Sequence, residues 1–544
     1  MRKKILGMSV GIILMIASNT YAGQQTIIPS ESPIYERLYD LSVLEGRVPF
    51  SDSIPMSVVE LQRILDVYAL AGIEKENMGL YESIKRQLII KDYGIEVSPE
   101  LYMHSSESAT FSQDESWYHN YHSRLPIAAI YGGFSFEDKI YGYAKMAANN
   151  SQFHVDTGDS SGFFSPHVKT NLILDDSYDN FDSSTPWRAY ISLGDYYWNF
   201  QVGRDLIRWG NGQTGNLIID DHMDYHEYAR LTAFNDHLKF TMLVLSFDHP
   251  SSYQESVSLS DPIEGYELFV AHRLEAQIGQ RMRLAVSESI MYQGLTVDPG
   301  ILNPLMFLHN LYIKGNSNSL AEISLSYTPY KGVNLYSQLA IDQLRVVGEG
   351  ASEPSAFGGL AGVNYVKRIH EGLLMNLGFE VVYTDPYLYL RDGSTDGYPI
   401  DFIVGYRKSS PNTIIPVDLD FLGYERGSDN VVVSFRAGLS DSDRLDMDLT
   451  LSYLLHGCID QNSTWGEGEA YASLVAPSTQ DPADSRKDSI ERLLSSSYSV
   501  DYAITTYTSV HAHLDWVHCW NYQNLSNNGY ESDIQLSTGI TIRI

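Results

Sequence analysis

Cysteine is nearly absent from this chain: Cys458 and Cys519 are the only two in 544 residues. Neither stands in a metal-ligand spacing, so thiolate zinc sites are not indicated. Positive charge is scarce too. Lys and Arg number 37 against 68 Asp and Glu, a formal net charge of −31. Such a chain repels phosphate backbones, and no nucleic-acid partner is expected. Long apolar runs are missing beyond the N-terminus. None approaches the ~20 residues of a membrane helix. The one early run, residues 5–16, follows Arg2, Lys3 and Lys4 and precedes Thr20-Tyr21-Ala22. That order of charged, apolar and small residues is a secretory leader, residues 1–22, cleaved after Ala22. No Cys follows the run, so a lipoprotein anchor is not indicated. Export permits a disulfide between the two cysteines, but nothing in the sequence places them side by side. Gly-x-Ser-x-Gly occurs once, at residues 7–11, inside the leader and removed with it.

Three short helices follow the leader, and they define an N-terminal bundle over 23–96. Ser32-Pro33 is an N-cap with Pro at the first helical position. Ile34, Leu38 and Leu41 follow at helical spacing, and Gly46 stops the segment. Ser57 and Glu60 form a capping box, with Met56 set to staple onto Leu61. Leu80, Ile84 and Leu88 share one face of a third segment. The bundle is too small to bury much by itself, so it is expected to dock on the long region after it.

From about residue 97 to 544 the period becomes two. Ala321, Ile323, Leu325 and Tyr327 alternate with Glu322, Ser324 and Ser326. Leu445, Met447, Leu449 and Leu451 oppose Asp446, Asp448 and Thr450, and Val510 to Trp516 alternate with His511, His513 and Asp515. Ten-residue alternating segments separated by polar turns suit a large antiparallel transmembrane barrel with a wet lumen. Tyrosine, at 39 residues, fits strands and membrane–water interfaces. A soluble sandwich also alternates, but a closed barrel removes the edge strands. One residue breaks the pattern: Glu288 follows Met282, Leu284 and Val286 on their apolar face. A bulge or the membrane boundary explains such a break.

Three groupings carry chemistry. Asp220-Asp221-His222, Asp224, His226 and Glu227 offer metal-type donors, but the metalloprotease helix spacing is absent and a polar loop is the simpler reading. Trp209 stands beside Arg208, Asn211 and Asn216 in a glycine-punctuated loop after Gly203-Arg204. An aromatic ring stacks on a sugar face while amides, arginines and carboxylates bond hydroxyls or acidic substituents. Arg273 and Glu275, alternating with Leu274 and Ala276, offer the same polar groups. The alternative is structural: Arg204 bridging lumen carboxylates and Trp209 anchoring at an interface. No Ser–His pair is singled out, no catalytic residue is assigned, and neither metal nor cofactor is called for.

The landmarks Gly203-Arg204, Trp209-Gly210-Asn211-Gly212, Leu217-Ile218-Ile219, His272-Arg273-Leu274-Glu275, Ser287-Glu288, Leu302-Asn303-Pro304, Tyr336, Gln338 and Asp342 occur in one order. In that order and spacing, over roughly 30–544, the sequence resembles the capsule assembly Wzi family. Asn211 departs from an expected Pro, Asp220 from an expected Ser, and Ile544 from the aromatic common at barrel C-termini. The resemblance implies a barrel of about eighteen strands, monomeric, in the outer membrane among its lipids, with the helical bundle on the periplasmic side. It also implies non-catalytic binding of capsular or other surface polysaccharide. Arg204, Arg208, Trp209, Asn211, Asn216, Arg273 and Glu275 are then the expected contacts. A porin-like channel and an outer-membrane hydrolase are the alternatives from other classes.

Overall fold

Eighteen antiparallel strands close into one ring. In chain order the wall strands are β1 (Tyr93–Val97 and Glu100–His104), β2 (Ala128–Phe136), β3 (Ile140–Asn150), β4 (Pro186–Asp195), β5 (Trp198–Asp205) and β6 (His226–Phe234). Then come β7 (Leu238–Phe247), β8 (Tyr266–Ile278), β9 (Met282–Gly294), β10 (Ser317–Tyr330), β11 (Val333–Gln343) and β12 (Ala356–His370). The last six are β13 (Leu373–Thr384), β14 (Asn430–Asp441), β15 (Leu445–His456), β16 (Glu491–Thr505), β17 (Thr508–Trp520) and β18 (Tyr530–Arg543). Each pairs with its chain neighbour, and β18 returns to β1 through Ile542↔Val97 and Thr538↔Leu101. The wall thus begins at Tyr93, inside the segment assigned to the helices. The computed structural model describes residues 23–106, 109, 125–150, 163–165, 168–172, 181–182, 186–250, 265–305, 316–343, 356–370, 372–391, 400–407, 417–441, 444–461, 463 and 489–544. The leader expected over residues 1–22 lies outside the described residues.

The wall is inside out relative to a soluble sheet. Ile323, Leu325 and Tyr327 are 51, 39 and 39% exposed, while Glu322, Ser324 and Ser326 between them are 1, 5 and 0%. A sandwich buries the apolar set and wets the polar set. A wall in lipid does the reverse, and closure satisfies every strand edge. The turns are short at one end, as at residues 279–281 and 331–332, and long at the other, as at 206–225 and 385–429.

The N-terminal helices sit inside the short-turn end. They are α1 (Pro33–Leu44), α2 (Val58–Ala71) and α3 (Met78–Gln87). Ser32 caps α1, its hydroxyl accepting from the Ile34 N–H, and Ser57 caps α2 by accepting from the Glu60 N–H at 3.3 Å. Their apolar stripes meet in one cluster that includes Leu38, Leu41, Leu61, Ile64, Leu80 and Ile84. To the wall the bundle presents charge. Arg273 Nη2 donates to Asp52 Oδ1 at 2.7 Å, and Arg283 bonds the other Asp52 oxygen. Arg273 also reaches Glu322 at 3.1 Å, Glu275 accepts from Ser51 at 2.8 Å, and Lys239 pairs with Glu60 at 2.5 Å. The charged side chains here are at most 3% exposed, and charges so buried persist because each has a partner.

The other half of the lumen holds an apolar core. Loop 206–225 and the described parts of 385–429 pack Ile207, Trp209, Leu217, Leu388 and Phe402 against inward wall residues such as Leu243, Phe269, Val382, Leu454 and Val517. The polar lining expected from the sequence is thus interrupted in the loop-end half, where Glu267, Gln293 and Asn318 remain inward beside this core. Cys458 and Cys519 lie in this core as buried thiols. At Glu288 the register His272↔Glu288↔Ala321 is unbroken, so no bulge is involved. On its loop-end side the outward residues Val270, Ile290 and Tyr292 are covered by Ile301 from the chain's own 295–305 segment. Below it Val286 is 48% exposed. Glu288 stands where the bare outer wall gives way to a protein-covered one.

Candidate functional site: a polar cavity in the lumen

The loop after β5 joins the two halves of the lumen. Arg208 and Trp209 pair as a short strand with Ile54 and Ser53 of the bundle. Beyond them the backbone closes on itself. Gly210 adopts φ +131°, and a Cβ there would meet Asn216 Oδ1 at 2.0 Å, so only glycine fits. Asn216 Oδ1 accepts from the Gly212 N–H at 3.0 Å and from Gln338 Nε2 at 2.7 Å, while its amide donates to Asp220 at 2.7 Å. Gln338 Oε1 accepts from the Leu217 N–H at 3.0 Å, and Glu380 accepts from the N–H groups of Gln213 and Thr214 at 2.8 and 2.9 Å. With its backbone groups satisfied by the wall, the loop is a fixed element of the lumen.

Beside it lies a cavity of about 790 Å³ between the bundle and the inner faces of β12 to β18, a size ordinary for ligand sites. Arg208, Asn211 and Gln213 line it from the loop; Tyr35, Glu36 and Tyr39 from α1; Asn364, Asn376, Arg436, Asp446 and Asp448 from the wall. Arg436 spans it, its Nε donating to Asp448 at 2.6 Å and its Nη2 to Glu36 at 2.7 Å. Arg37 faces Asp446 at 3.6 Å, and Arg208 faces Asp221 at 3.7 Å. Burial pushes the lining Glu31 carboxyl up, against the pull of Arg188. Amides, tyrosines and half-exposed guanidinium–carboxylate pairs make a surface that can exchange internal hydrogen bonds for those of a hydroxyl-rich ligand.

The seven residues singled out in the sequence go to five places. Arg208 and Asn211 line the cavity. Asn216, at 0% exposure, is a strut inside the loop. Arg273 and Glu275, at 0 and 2%, belong to the ion-pair contact with the bundle. Arg204 points outward from β5, its guanidinium 3.8 Å from the Tyr225 ring centroid and bonded to Glu227, so it bridges no lumen carboxylates. Trp209 is 0% exposed in the loop-end core, 5.8 Å below the Arg273 guanidinium. No face of its ring is open to a sugar, and it is far from the outer wall. Trp209→Ala is expected to act on stability, costing about 3–5 kcal/mol, read as a lower urea midpoint of the vesicle-folded barrel. The sequence did not single out Arg436, Glu36 or Tyr39. Arg436, as the one charged residue within 431–437, was the available signal.

The acidic loop holds His222 between Asp220 at 3.8 Å and Asp420 at 3.3 Å. Burial opposes its charge, but Asp420 and Asp220 win and raise its pKa well above the usual imidazole range. His226 Nδ1 accepts from the Ile207 N–H at 3.1 Å. Among the described residues no group of three His, Cys, Asp or Glu side chains is placed to hold a metal ion.

No protein-family model matches the sequence, and no curated protein does. Among solved structures the chain matches Wzi of Escherichia coli, described as an outer membrane protein involved in group 1 capsule assembly and a carbohydrate binding beta-barrel. The TM-score is 0.59 at 15% identity, covering 96% of this chain and 99% of that one. The outer membrane channel DcaP and OccAB3, both of Acinetobacter baumannii, match at TM-scores of 0.31 and 0.38 with 10 and 11% identity. Each covers 83% of this chain, with 96 and 100% of their own lengths. By fold, this chain is a closed eighteen-strand antiparallel barrel of the outer-membrane type, similar to that of Wzi.

Proposed function

We propose that this protein binds exported capsular or other surface polysaccharide at the outer membrane and aids its assembly or attachment, without catalysing a reaction. The observation that carries the reading is the polar cavity under the 206–225 loop, with Arg208, Asn211 and Arg436 presenting charged and amide groups. The likeness of fold to a barrel described as carbohydrate-binding supports it. Short turns mark the periplasmic side of outer-membrane barrels; this supports a periplasmic bundle with the long loops outside, so a polysaccharide chain would meet the cavity from the periplasmic side during its export. The test is an Arg208→Ala, Asn211→Ala double variant, checked first for normal barrel assembly. Cell-associated polysaccharide should fall and free polysaccharide rise; unchanged retention would remove the cavity from the site. A glycan-binding screen on the purified barrel should lose its hits in the same variant.

A porin-like role needs a water path through the loop-end half, where an apolar core fills the described lumen. The purified barrel is therefore expected to give no steady conductance in a planar bilayer, and open-channel currents would restore the channel reading. For export, the mature protein is expected to begin at Gly23, as N-terminal sequencing of outer-membrane material would read. A chain that keeps Met1 would overturn the cleaved leader.

A further inference from the structure

Near the loop end, the outer faces of β16, β17 and β18 share an aromatic and basic patch. Strand pairing sets Arg492 opposite Trp520 and Trp520 opposite Tyr530. His518 and Trp516 follow on the same face, two and four residues back along β17. The alternate positions Asp515, Val517 and Cys519 point inward and are 1, 0 and 1% exposed, while Trp516 and Tyr530 are 52 and 53% exposed. The rings are packed together. His518 lies 5.9 Å from Tyr530 with planes 18° apart, Trp520 5.1 Å from Tyr530, and Trp516 4.7 Å from His518. His518 Nδ1 and the Tyr530 hydroxyl share a hydrogen bond of 2.6 Å. Arg492 is exposed and has no ion-pair partner among the described residues. Its outward neighbours Leu455, Leu494, Ser532 and Ile534 bring no carboxylate.

A band of Trp and Tyr is expected where any barrel wall meets the membrane surface. An exposed guanidinium with no ion-pair partner among the described residues is not explained by that band, least of all in a chain of net charge −31. On a lipid-facing wall arginine costs about 2–4 kcal/mol at the midplane and about 0–1 near the interface, so Arg492 belongs at headgroup level. We propose that this patch binds the phosphorylated sugar headgroup of an outer-leaflet glycolipid. Arg492 pairs with phosphate, for which its planar fork is suited. The exposed faces of Trp516, Trp520 and Tyr530 stack on the sugar. The inference uses the orientation with long loops outermost and is independent of what occupies the lumen cavity.

The test is native mass spectrometry of the purified full-length barrel in detergent. It is titrated with a bis-phosphorylated diglucosamine lipid, the same lipid without phosphates, and phosphatidylglycerol. The parent should retain the phosphorylated glycolipid in preference to both others. Arg492→Gln, with an unchanged heat-dependent gel shift, should weaken retention roughly tenfold, the loss of one charge-assisted pair. Trp520→Leu should weaken it as well. Equal retention by parent and Arg492→Gln would reduce the patch to an interfacial anchor and overturn the proposal. Equal retention of phosphatidylglycerol would overturn the sugar contact. A doubled protein mass abolished by Arg492→Gln would assign the patch to a second copy of the barrel and overturn it too. Polysaccharide retention by Arg492→Gln cells should stay normal, so this inference and the lumen reading fail separately.

Discussion

Asp52→Ala is expected to destabilise the barrel by about 3–5 kcal/mol, because it leaves two guanidinium groups in the lumen without their shared carboxylate. Asp52 bonds Arg273 at 2.7 Å and also Arg283, and all three side chains are at most 3% exposed. Burial pushes the Asp52 carboxyl up, but Arg283 and Arg273 together outweigh it and hold its pKa at about 2. In the unfolded chain the value is about 3.9. A carboxylate depressed on folding contributes fully above its unfolded pKa and loses that contribution as pH falls through its folded one. The gap between wild type and variant should therefore be full at neutral pH and shrink as pH is lowered from about 4 toward 2. Urea unfolding from lipid vesicles measures both. A variant within about 1 kcal/mol of wild type would show that the contact is an incidental surface-type pair.

The second large effect lies on the other face of the wall. Leu449→Arg should cost about 2–4 kcal/mol near the midplane. Leu449 shares its outward parity with Leu451 and Tyr453, which are 42 and 38% exposed. Asp448, next to it, points into the cavity and accepts from Arg436 at 2.6 Å. Arg436 also has Glu36, so Asp448→Asn leaves the guanidinium partnered and should cost about 0–1 kcal/mol. The same unfolding assay, with gel mobility before and after boiling, separates the two changes. Equal tolerance of both would be incompatible with a lipid-facing Leu449.

What the sequence conveyed depended on range. Caps at Ser32 and Ser57 act over three residues, and alternation from Ala321 to Tyr327 acts within one strand, so helices, wall and parity were legible. The apolar core of the lumen was written less openly. In β7, Met242-Leu243-Val244-Leu245 is apolar on both faces, the pattern of a strand buried on both sides. Its second apolar face has meaning only once loop 206–225 and the described parts of 385–429 are known to pack inside the ring. Trp209 carries no local mark to separate a stacking ring from a core residue. Its neighbours are fixed by Ser53 and Arg273, each distant in sequence. Arg273 and Glu275 looked like ligand groups for the same reason: their partners Asp52, Ser51 and Glu322 are non-local. Arg204 was misplaced by one step of parity, since Gly203 takes the inward position beside it in β5.

The ring is sealed by its first and last strands, and the bundle inside it is made of the residues that come first. The pairings of Ile542 with Val97 and of Thr538 with Leu101 are thus the final stitches of a wall whose contents precede it in synthesis. Between the bundle and β1 there is only the short link 88–92, so once β1 forms, the helices are tethered at the rim. Assembly is consequently a question of sequence in time. The helices can enter through the gap between β18 and β1 while it is open, or swing in through the short-turn mouth after it closes. Each route exposes the charges of Asp52, Arg273 and Arg283 to water until docking brings them together.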